Sequence, residues 1–268
     1  MPKVTLTPAL RADYEQLFQS CVIRPTRLAE VDATADRLVA NRARYETVSA
    51  STGVPWPVVA VVHNMEASLK FTSHLHNGDP LTARTVQVPK GCPRTGNPPF
   101  TWEVSAGDAL KMKGLDGDTE WTVAGTLFVL EGYNGWGYRR FHPDVLSPYL
   151  WAASRHYTNG KYVADGTFSE TAVSKQVGAA VLMRRLAERG AIDFEDQPRP
   201  EEDEPLLVPF SQKRDRNPAR VEQAQQLQRW LNTHVGIFVL VDGVPGRRTS
   251  DAFQAVTGAF LPGDPRAA

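Results

Sequence analysis

The sequence predicts a mostly α-helical protein with a small β-hairpin region, and three observations support this fold class. Apolar residues recur three to four positions apart along most of the chain, as they do on one face of a helix. Proline and glycine separate these periodic segments, as they do at helix ends. Residues 74–99 differ, because Gly, Asn, Asp and Pro there punctuate short β-branched pieces, a pattern typical of a hairpin or an extended loop.

Three helices are predicted before this hairpin region. The first two, at 8–21 and 28–49, each carry apolar side chains on one face, and Pro25 separates them. The third begins near Pro55, because proline is tolerated in the first turn of a helix, and runs to about Phe71. Its apolar residues occupy almost every side. We therefore expect this third helix to be buried on most of its faces.

Helical periodicity returns after the hairpin region. Ser169 is suited to cap a helix and Gly190 to end it, whereas the charged, proline-rich residues 196–218 predict a linker or wrapping arm. The chain is thus expected to have a helical main domain at 1–195 and a short helical segment at 219–268. The helices predicted in this part are 100–113, 120–131, a short one near 147–156, 169–189, 219–234 and 248–258.

Composition excludes several classes of function. Lys plus Arg equals Asp plus Glu, 30 each, whereas a nucleic-acid-binding surface needs a basic excess. The start of the chain lacks the apolar run of a secretory signal, and Val58–Val62 is far shorter than the roughly 18 residues that span a membrane. The two cysteines, Cys21 and Cys92, do not make a disulfide framework. We therefore expect synthesis in the cytoplasm, in reduced form and without membrane insertion.

One carboxyl group, that of Glu66, lies near the end of the apolar third helix. Burial disfavours the ionised form of a carboxyl group and raises its pKa. A carboxylic acid that stays protonated near neutral pH can protonate a glycosidic oxygen. The spacing also permits an ordinary ion pair between Glu66 and Lys70, one helical turn later.

The segment His63–Phe71 resembles the end of the catalytic helix in goose-type lysozymes and soluble lytic transglycosylases. In that superfamily Ser usually follows the catalytic Glu directly, whereas here Ala67 follows Glu66 and Ser68 comes next. Glu131–Tyr138 is similar to the Tyr-Asn segment that lines the sugar cleft of those enzymes. Further similarity, to bacterial and phage muramidase-like proteins, lies in Leu75–Leu81, Asn97–Phe100 and Ser147–Trp151. The resemblance covers about residues 50–190.

This resemblance implies a lysozyme-like catalytic domain and a peptidoglycan hydrolase, a muramidase that cleaves between N-acetylmuramic acid and N-acetylglucosamine. Glu66 would be the general acid, with no cofactor and no metal. Asp79 is the first choice for orienting water, ahead of Glu103 and Asp108, although Asn-Gly-Asp-Pro is turn chemistry in its own right. A lytic transglycosylase, which needs no such group, is the alternative. The side chains expected to bind substrate are Ser68, Thr82, Thr85, Tyr133, Asn134 and Tyr138.

The C-terminal residues resemble part of a helical peptidoglycan-binding module. The similar segments are Leu227–Asn232, Val241–Gly246 and Thr249–Phe253. Glycine permits the unusual dihedrals of the turn, and Thr249 or Ser250 can cap the helix that follows. We expect the partner of the chain to be the glycan strands of the cell wall, reached after release or export, as a phage endolysin reaches them.

Three rival functions follow from the same residues. A wall-binding protein without enzymatic activity would bind insoluble peptidoglycan and release no reducing sugar. A cysteine amidase would use Cys92 as nucleophile and His142 or His156 as base. A zinc hydrolase would use His63, His74, His76 and Asp79 as ligands, although the chain has no His-Glu-x-x-His motif.

Overall fold

A computed structural model describes residues 4–164, 166–189, 191–192, 194, 205–234 and 237–267. Within them the chain forms eleven α-helices and one two-stranded antiparallel sheet. The predicted fold class, mostly α with a small β-hairpin, is therefore confirmed. No helix in the described part of the chain is long and apolar enough to cross a membrane.

The helices and strands lie in the following order along the chain. They are α1 (Pro8–Gln19), a 3-10 turn (Pro25–Arg27), α2 (Leu28–Ala40), α3 (Arg42–Thr52), α4 (Trp56–Ala67), α5 (Trp102–Met112), α6 (Val123–Asn134), α7 (Gly137–Phe141), α8 (Pro148–Trp151), β1 (Lys161–Ala164), β2 (Thr167–Ser169), α9 (Ala179–Glu188), α10 (Pro218–Leu231) and α11 (Arg247–Thr257).

The single helix predicted at 28–49 is in fact two helices, α2 and α3. Asn41 separates them, with φ −100° and ψ 11°. Its side-chain amide donates a hydrogen bond of 2.8 Å to the carbonyl oxygen of Arg37. Asn side chains compete with the backbone in this way and favour helix ends over helix interiors, which explains the break.

Helix α4, which carries Glu66, ends at Ala67 and not near Phe71 as predicted. Ser68 and Leu69 follow with φ values of 49° and 61°, and a left-handed residue is a common way to end a helix. The predicted burial of the helix is confirmed. The buried residues of α4 are Pro57, Val58, Val59, Ala60, Val61, Val62, His63 and Met65.

The hairpin lies at β1 and β2, whereas the sequence pattern placed it in residues 74–99. Tyr162 and Phe168 lie opposite each other in the antiparallel pair, with ring centroids 5.4 Å apart. Ser169 belongs to β2, so the predicted start of the helix at 169–189 is wrong; its second half is α9, which begins at Ala179. The prediction gave too little weight to the β-branched and aromatic residues that favour a strand here.

Residues 74–99 form a loop, and backbone hydrogen bonds across its turns hold it closed. The backbone N–H of His74 donates to the carbonyl oxygen of Asp79 over 2.7 Å, and Ser73 and Pro80 form an isolated bridge. Proline cannot donate to a strand ladder, and this loop contains several prolines. This accounts for the absence of the predicted hairpin from residues 74–99, all of which are described.

The chain divides into two compact units. One comprises the described residues up to Glu15 together with Cys21–Arg185, and the other comprises Gln16–Ser20 and the described residues from Leu186 onward. Part of the predicted linker, 196–204, lies outside the described residues, whereas Val208 is buried in the second unit. The core of that unit is formed by Val208, Leu227, Leu231, Val239, Ala252, Phe253 and Leu261.

The glycine turn of the C-terminal segment packs against α10. Gln228, which is 1% exposed, accepts a hydrogen bond of 2.8 Å from the backbone N–H of Gly243 and donates to Asp242 over 2.9 Å. Gly243 has φ 74°, and a Cβ there would lie 2.6 Å from a methyl group of Val221. Glycine is therefore required at this position for both conformation and space.

Candidate active site

Glu66 lies in the last turn of α4 and is exposed to solvent. The hydroxyl of Tyr149 donates a hydrogen bond of 2.8 Å to Glu66 Oε1. Tyr149 belongs to the short helix α8 and is only 8% exposed. A buried, fixed donor therefore holds one carboxyl oxygen of Glu66, while solvent still reaches the residue.

Opposing effects set the pKa of Glu66. Desolvation by surrounding protein atoms is the largest, and it raises the pKa above its ordinary value. The hydrogen bond from Tyr149 and the positive charge of Lys113 act in the other direction, and the net shift is upward. The prediction that Glu66 itself is buried is wrong, since the residue is exposed. An exposed carboxyl group that is partly desolvated fits a concave surface better than an open one.

A cavity of about 460 Å³ lies near the end of α6, and Glu66 is not among the residues that line it. Lys113 and Tyr133 line it, and both interact electrostatically with Glu66. The ammonium nitrogen of Lys113 lies 4.7 Å from the centroid of the Tyr133 ring. Burial raises the pKa of Tyr133, and the charge of Glu66 raises it further. Other residues that line the cavity include Leu115, Phe128 and Trp136.

Lys70 is not a helical partner of Glu66. Because α4 ends at Ala67, Glu66 and Lys70 do not share a helix, and the one-turn spacing of the sequence does not bring their side chains together.

Asp79 anchors a turn. Its Oδ2 accepts hydrogen bonds from the backbone N–H groups of Gln87 (3.1 Å) and Val86 (2.8 Å) and from the side chain of Asn77 (3.1 Å). The N–H groups of Gln87 and Val86 are the main causes that hold the pKa of Asp79 below its ordinary value. Asp79 is therefore an ionised side chain that stabilises the loop, the structural role that its turn sequence also permitted.

Glu103 forms an ion pair on α5. Its carboxylate accepts a hydrogen bond of 2.6 Å from Arg44 Nε, and the Arg44 guanidinium lies 3.8 Å from the centroid of the Phe71 ring. Desolvation acts to raise the pKa of Glu103, but the hydrogen bond and the charge of Arg44 together lower it. Asp108, the third carboxylate considered, lies 2.9 Å from His76.

Three of the residues predicted to bind substrate, Ser68, Thr82 and Thr85, differ from one another in exposure. Ser68 follows α4 and is exposed, as is Thr82. Thr85 is 2% exposed. Its hydroxyl donates to the carbonyl oxygen of Pro89 and accepts from the backbone N–H of Cys92, so its hydrogen bonds are made within the loop.

The aromatic segment at the end of α6 contributes to two cavities. Tyr133 lines the cavity of about 460 Å³, whereas Asn134 and Tyr138 line a second cavity of about 430 Å³. The hydroxyl of Tyr138, a residue that is 6% exposed, accepts a hydrogen bond of 3.2 Å from the backbone N–H of Tyr162. The structure thus brings Tyr133, and not the whole predicted set, close to Glu66.

The four histidine and aspartate residues considered as zinc ligands do not share one site. His63 is 0% exposed and lies with its Nδ1 3.2 Å from the Tyr45 hydroxyl. His74 contacts Ser105 over 2.7 Å. His76 also contacts Ser105, but its other ring nitrogen faces Asp108, and Asp79 accepts from backbone N–H groups.

The residues considered for a cysteine amidase lie in separate surroundings. The sulfur of Cys92 lies 3.5 Å from that of Met112. The ring of His142 stacks on Phe168 at 3.5 Å, and that of His156 lies 5.2 Å from Trp151. These contacts offer no support for a pair of Cys92 with His142 or His156.

The buried His63 leads to a prediction about acid stability. Desolvation is the main cause that lowers its pKa from 6.5 to about 4. Below pH 6.5 this histidine is protonated in the unfolded chain but stays neutral in the folded chain. The free energy of unfolding therefore decreases as the pH falls, and the full loss, roughly 3 kcal/mol, is reached below about pH 4. Denaturant unfolding between pH 7 and pH 4 should show a weaker pH dependence for His63→Leu than for the unmodified protein. Equal pH dependence would contradict this assignment.

Sequence reasoning missed the role of Tyr149. The residue lies in Ser147–Trp151, a segment whose similarity to muramidase-like proteins predicts no role for this tyrosine. The hydrogen bond from the Tyr149 hydroxyl to Glu66 joins residues that are distant in the sequence. The sequence of the segment around Tyr149 alone does not predict it.

Neither family models, nor curated proteins, nor solved structures gave a match to this chain.

Proposed function

We propose that this protein is a peptidoglycan hydrolase, a muramidase that cleaves the bond between N-acetylmuramic acid and N-acetylglucosamine, with Glu66 as the general acid. One observation carries the proposal: a solvent-exposed carboxyl group, with a raised pKa, is held by a buried tyrosine and interacts electrostatically with Lys113 and Tyr133, which line a cavity together with other aromatic side chains. Aromatic side chains with a few polar groups are the usual lining of a ligand site.

The two carboxyl oxygens of Glu66 have different roles. Because Oε1 accepts the hydrogen bond from Tyr149, the acidic proton is carried by Oε2. Glu66 transfers that proton to the glycosidic oxygen as the bond from this oxygen to the sugar C1 breaks, so the leaving sugar departs as a neutral alcohol. Lys113 then stabilises the carboxylate that Glu66 becomes. Water forms the new bond to C1, and its proton returns to the Glu66 carboxylate.

A lytic transglycosylase is the second candidate, and the state of the other carboxylates favours it. Asp79 is held by backbone N–H groups and Glu103 by Arg44, so neither nominated side chain is free to activate water. In a transglycosylase the substrate's own hydroxyl attacks C1, and its proton returns to the Glu66 carboxylate. One carboxyl group then serves as acid and as base, and no water is consumed.

Digestion of purified sacculi, followed by mass analysis of the fragments, tests the proposal. A hydrolase gives fragments with a reducing-end muramic acid, and a transglycosylase gives anhydro fragments that are lighter by one water. Binding to sacculi without release of fragments would instead indicate a wall-binding protein, and cleavage at peptide bonds would indicate an amidase or peptidase. Either of these last two results would overturn the proposal.

Replacing Tyr149 with Phe tests the carboxyl–tyrosine contact. Loss of a hydrogen bond of about 1.5 kcal/mol to a charged group corresponds to roughly tenfold lower activity. The bond stabilises ionised Glu66, so without it the pKa of Glu66 rises further. Since the general acid works only while protonated, the alkaline limb of the pH–rate profile should move to higher pH.

Tyr157→Phe is the matched control for that variant. Tyr157 is also buried, but its hydroxyl donates to the carbonyl oxygen of Gly160 and not to a carboxyl group. This control should leave the alkaline limb where it is. An unshifted limb in Tyr149→Phe as well would show that the contact does not tune the acid.

A further inference from the structure

Apart from the proposed active site, the side chains of His76, Cys92 and Asp108 converge. One ligand atom from each, an imidazole nitrogen, a sulfur and a carboxylate oxygen, lies within 4.8 Å of the others. His76 Nε2 is 2.9 Å from Asp108 Oδ2. The side chain of His76 and the whole of Cys92 are 1% exposed, and the side chain of Asp108 is 24% exposed.

A chain of hydrogen bonds determines which nitrogen of His76 carries a proton. His74 Nε2 lies 2.8 Å from the carbonyl oxygen of Ala83, which can only accept, so this nitrogen carries the hydrogen. In a neutral His74 ring, Nδ1 then accepts from the hydroxyl of Ser105, 2.7 Å away. With its hydrogen used, Ser105 Oγ can only accept from His76 Nδ1, at 3.5 Å.

The consequence is that neutral His76 presents an Nε2 lone pair to Asp108 and Cys92. A nitrogen lone pair, a carboxylate and a sulfur then face one another in a largely buried place, and a positive charge between them, from a proton on Nε2 or from a metal ion, makes such an arrangement favourable. Ligating histidines usually donate their other ring N–H to a neighbouring oxygen, which is the arrangement that Ser105 provides.

We propose that His76, Cys92 and Asp108 bind a divalent transition-metal ion of the zinc type. Zn²⁺ takes nitrogen, thiolate sulfur and carboxylate oxygen, whereas Mg²⁺ and Ca²⁺ prefer oxygen alone. Two ligand atoms on one tetrahedral zinc ion lie about 3.3 Å apart at the usual bond lengths, so His76 and Asp108 need to separate by only a few tenths of an ångström.

Such an ion would join loop 74–99 to helix α5. His76 and Cys92 belong to the loop and Asp108 to the helix. A metal that binds the folded form and not the unfolded chain adds its binding free energy to stability. The inference stands independently of the proposed function, because none of its three ligands has a part in the mechanism proposed for Glu66.

Metal titration of the full chain tests this site. Calorimetry with Zn²⁺ should give one tightly bound ion per chain, together with a higher midpoint of thermal unfolding. With Co²⁺, a thiolate-to-cobalt charge-transfer band should appear. No stoichiometric binding, or a cobalt complex that lacks the thiolate band, would overturn the proposal.

Variants assign the ligands. Cys92→Ser should abolish the cobalt band, Asp108→Asn should weaken zinc binding, and Ser105→Ala should weaken it by about 10–100-fold through the orientation of His76. Cys21→Ser, which removes the other buried cysteine, should bind zinc as the unmodified protein does. Unchanged zinc affinity in both Cys92→Ser and Asp108→Asn would overturn the assignment. If one of these variants does not fold, unchanged affinity in the other is enough to overturn it.

Discussion

Replacing Glu66 with Gln is expected to leave a folded protein that cleaves purified peptidoglycan about 10²–10⁴-fold more slowly, the usual contribution of a general acid. Gln keeps the size of the side chain and can still accept the hydrogen bond from Tyr149, but it has no proton of suitable acidity to give. Because Glu66 is exposed and lies at the end of α4, we expect little change in the free energy of unfolding.

The measurement is the rate of fragment release from sacculi under matched conditions, with circular dichroism to show that the variant is folded. Glu46→Gln is the control. Glu46 lies on α3 and pairs with Arg42 at the surface, where both side chains are about half exposed, so this variant should cleave at the normal rate. Near-normal turnover by Glu66→Gln would end the assignment of the general acid.

Replacing Arg139 with Met is expected to lower the free energy of unfolding by about 3–5 kcal/mol, the usual cost of leaving a buried charge unpaired. Glu131 is 3% exposed, and the Arg139 guanidinium bonds to its carboxylate over 2.8 Å. Tyr14 also donates to this carboxylate. Without Arg139, the hydrogen bond from Tyr14 alone does not compensate the buried charge.

Urea unfolding of the variant measures this loss. Arg42→Met removes the exposed ion pair with Glu46 and should cost about 1 kcal/mol or less. Adding Glu131→Gln to Arg139→Met removes the unpaired charge, so the double variant should recover part of the lost stability. A loss below 1 kcal/mol for Arg139→Met alone would show that Glu131 is neutralised by other means.

The sequence predicts helices well where local residues mark their ends. Thr101 caps α5 through the backbone N–H of Val104, Thr122 caps α6 through that of Gly125, and Gly258 ends α11 in the left-handed region. All three helices begin or end within a few residues of the predicted bounds. Caps and left-handed glycines are local signals, so periodicity and composition suffice for them.

Prediction failed where the determining feature is not local or was underweighted. Ser68 and Leu69 end α4 with positive φ values although neither is glycine, and nothing in their side chains marks this. The hairpin at β1 and β2 joins residues of high strand propensity, and Gly166, which directly precedes β2, has a φ of 68°, a conformation that glycine adopts readily. The Gly, Asn and Pro residues in 74–99 also favour turns, and for this reason the hairpin was predicted there and not at β1 and β2.

The candidate site could be predicted only in part. The apolar character of α4 and the position of Glu66 near its end are visible in the sequence, as is the turn chemistry of Asp79. The hydrogen bond from Tyr149 joins residues 83 positions apart, and the pairing of Glu103 with Arg44 joins residues 59 positions apart. Such contacts depend on how helices pack, and residue spacing does not reveal them.

Titration of the Glu66 carboxyl group tests the central claim most directly. In protein with ¹³C-labelled glutamate, the carboxyl resonance missing from Glu66→Gln identifies the residue, and its shift with pH gives the pKa. We predict a midpoint above the ordinary value of 4.5, and a still higher one in Tyr149→Phe. A midpoint at or below 4.5 would contradict the account, because Glu66 would then hold no proton to give near neutral pH.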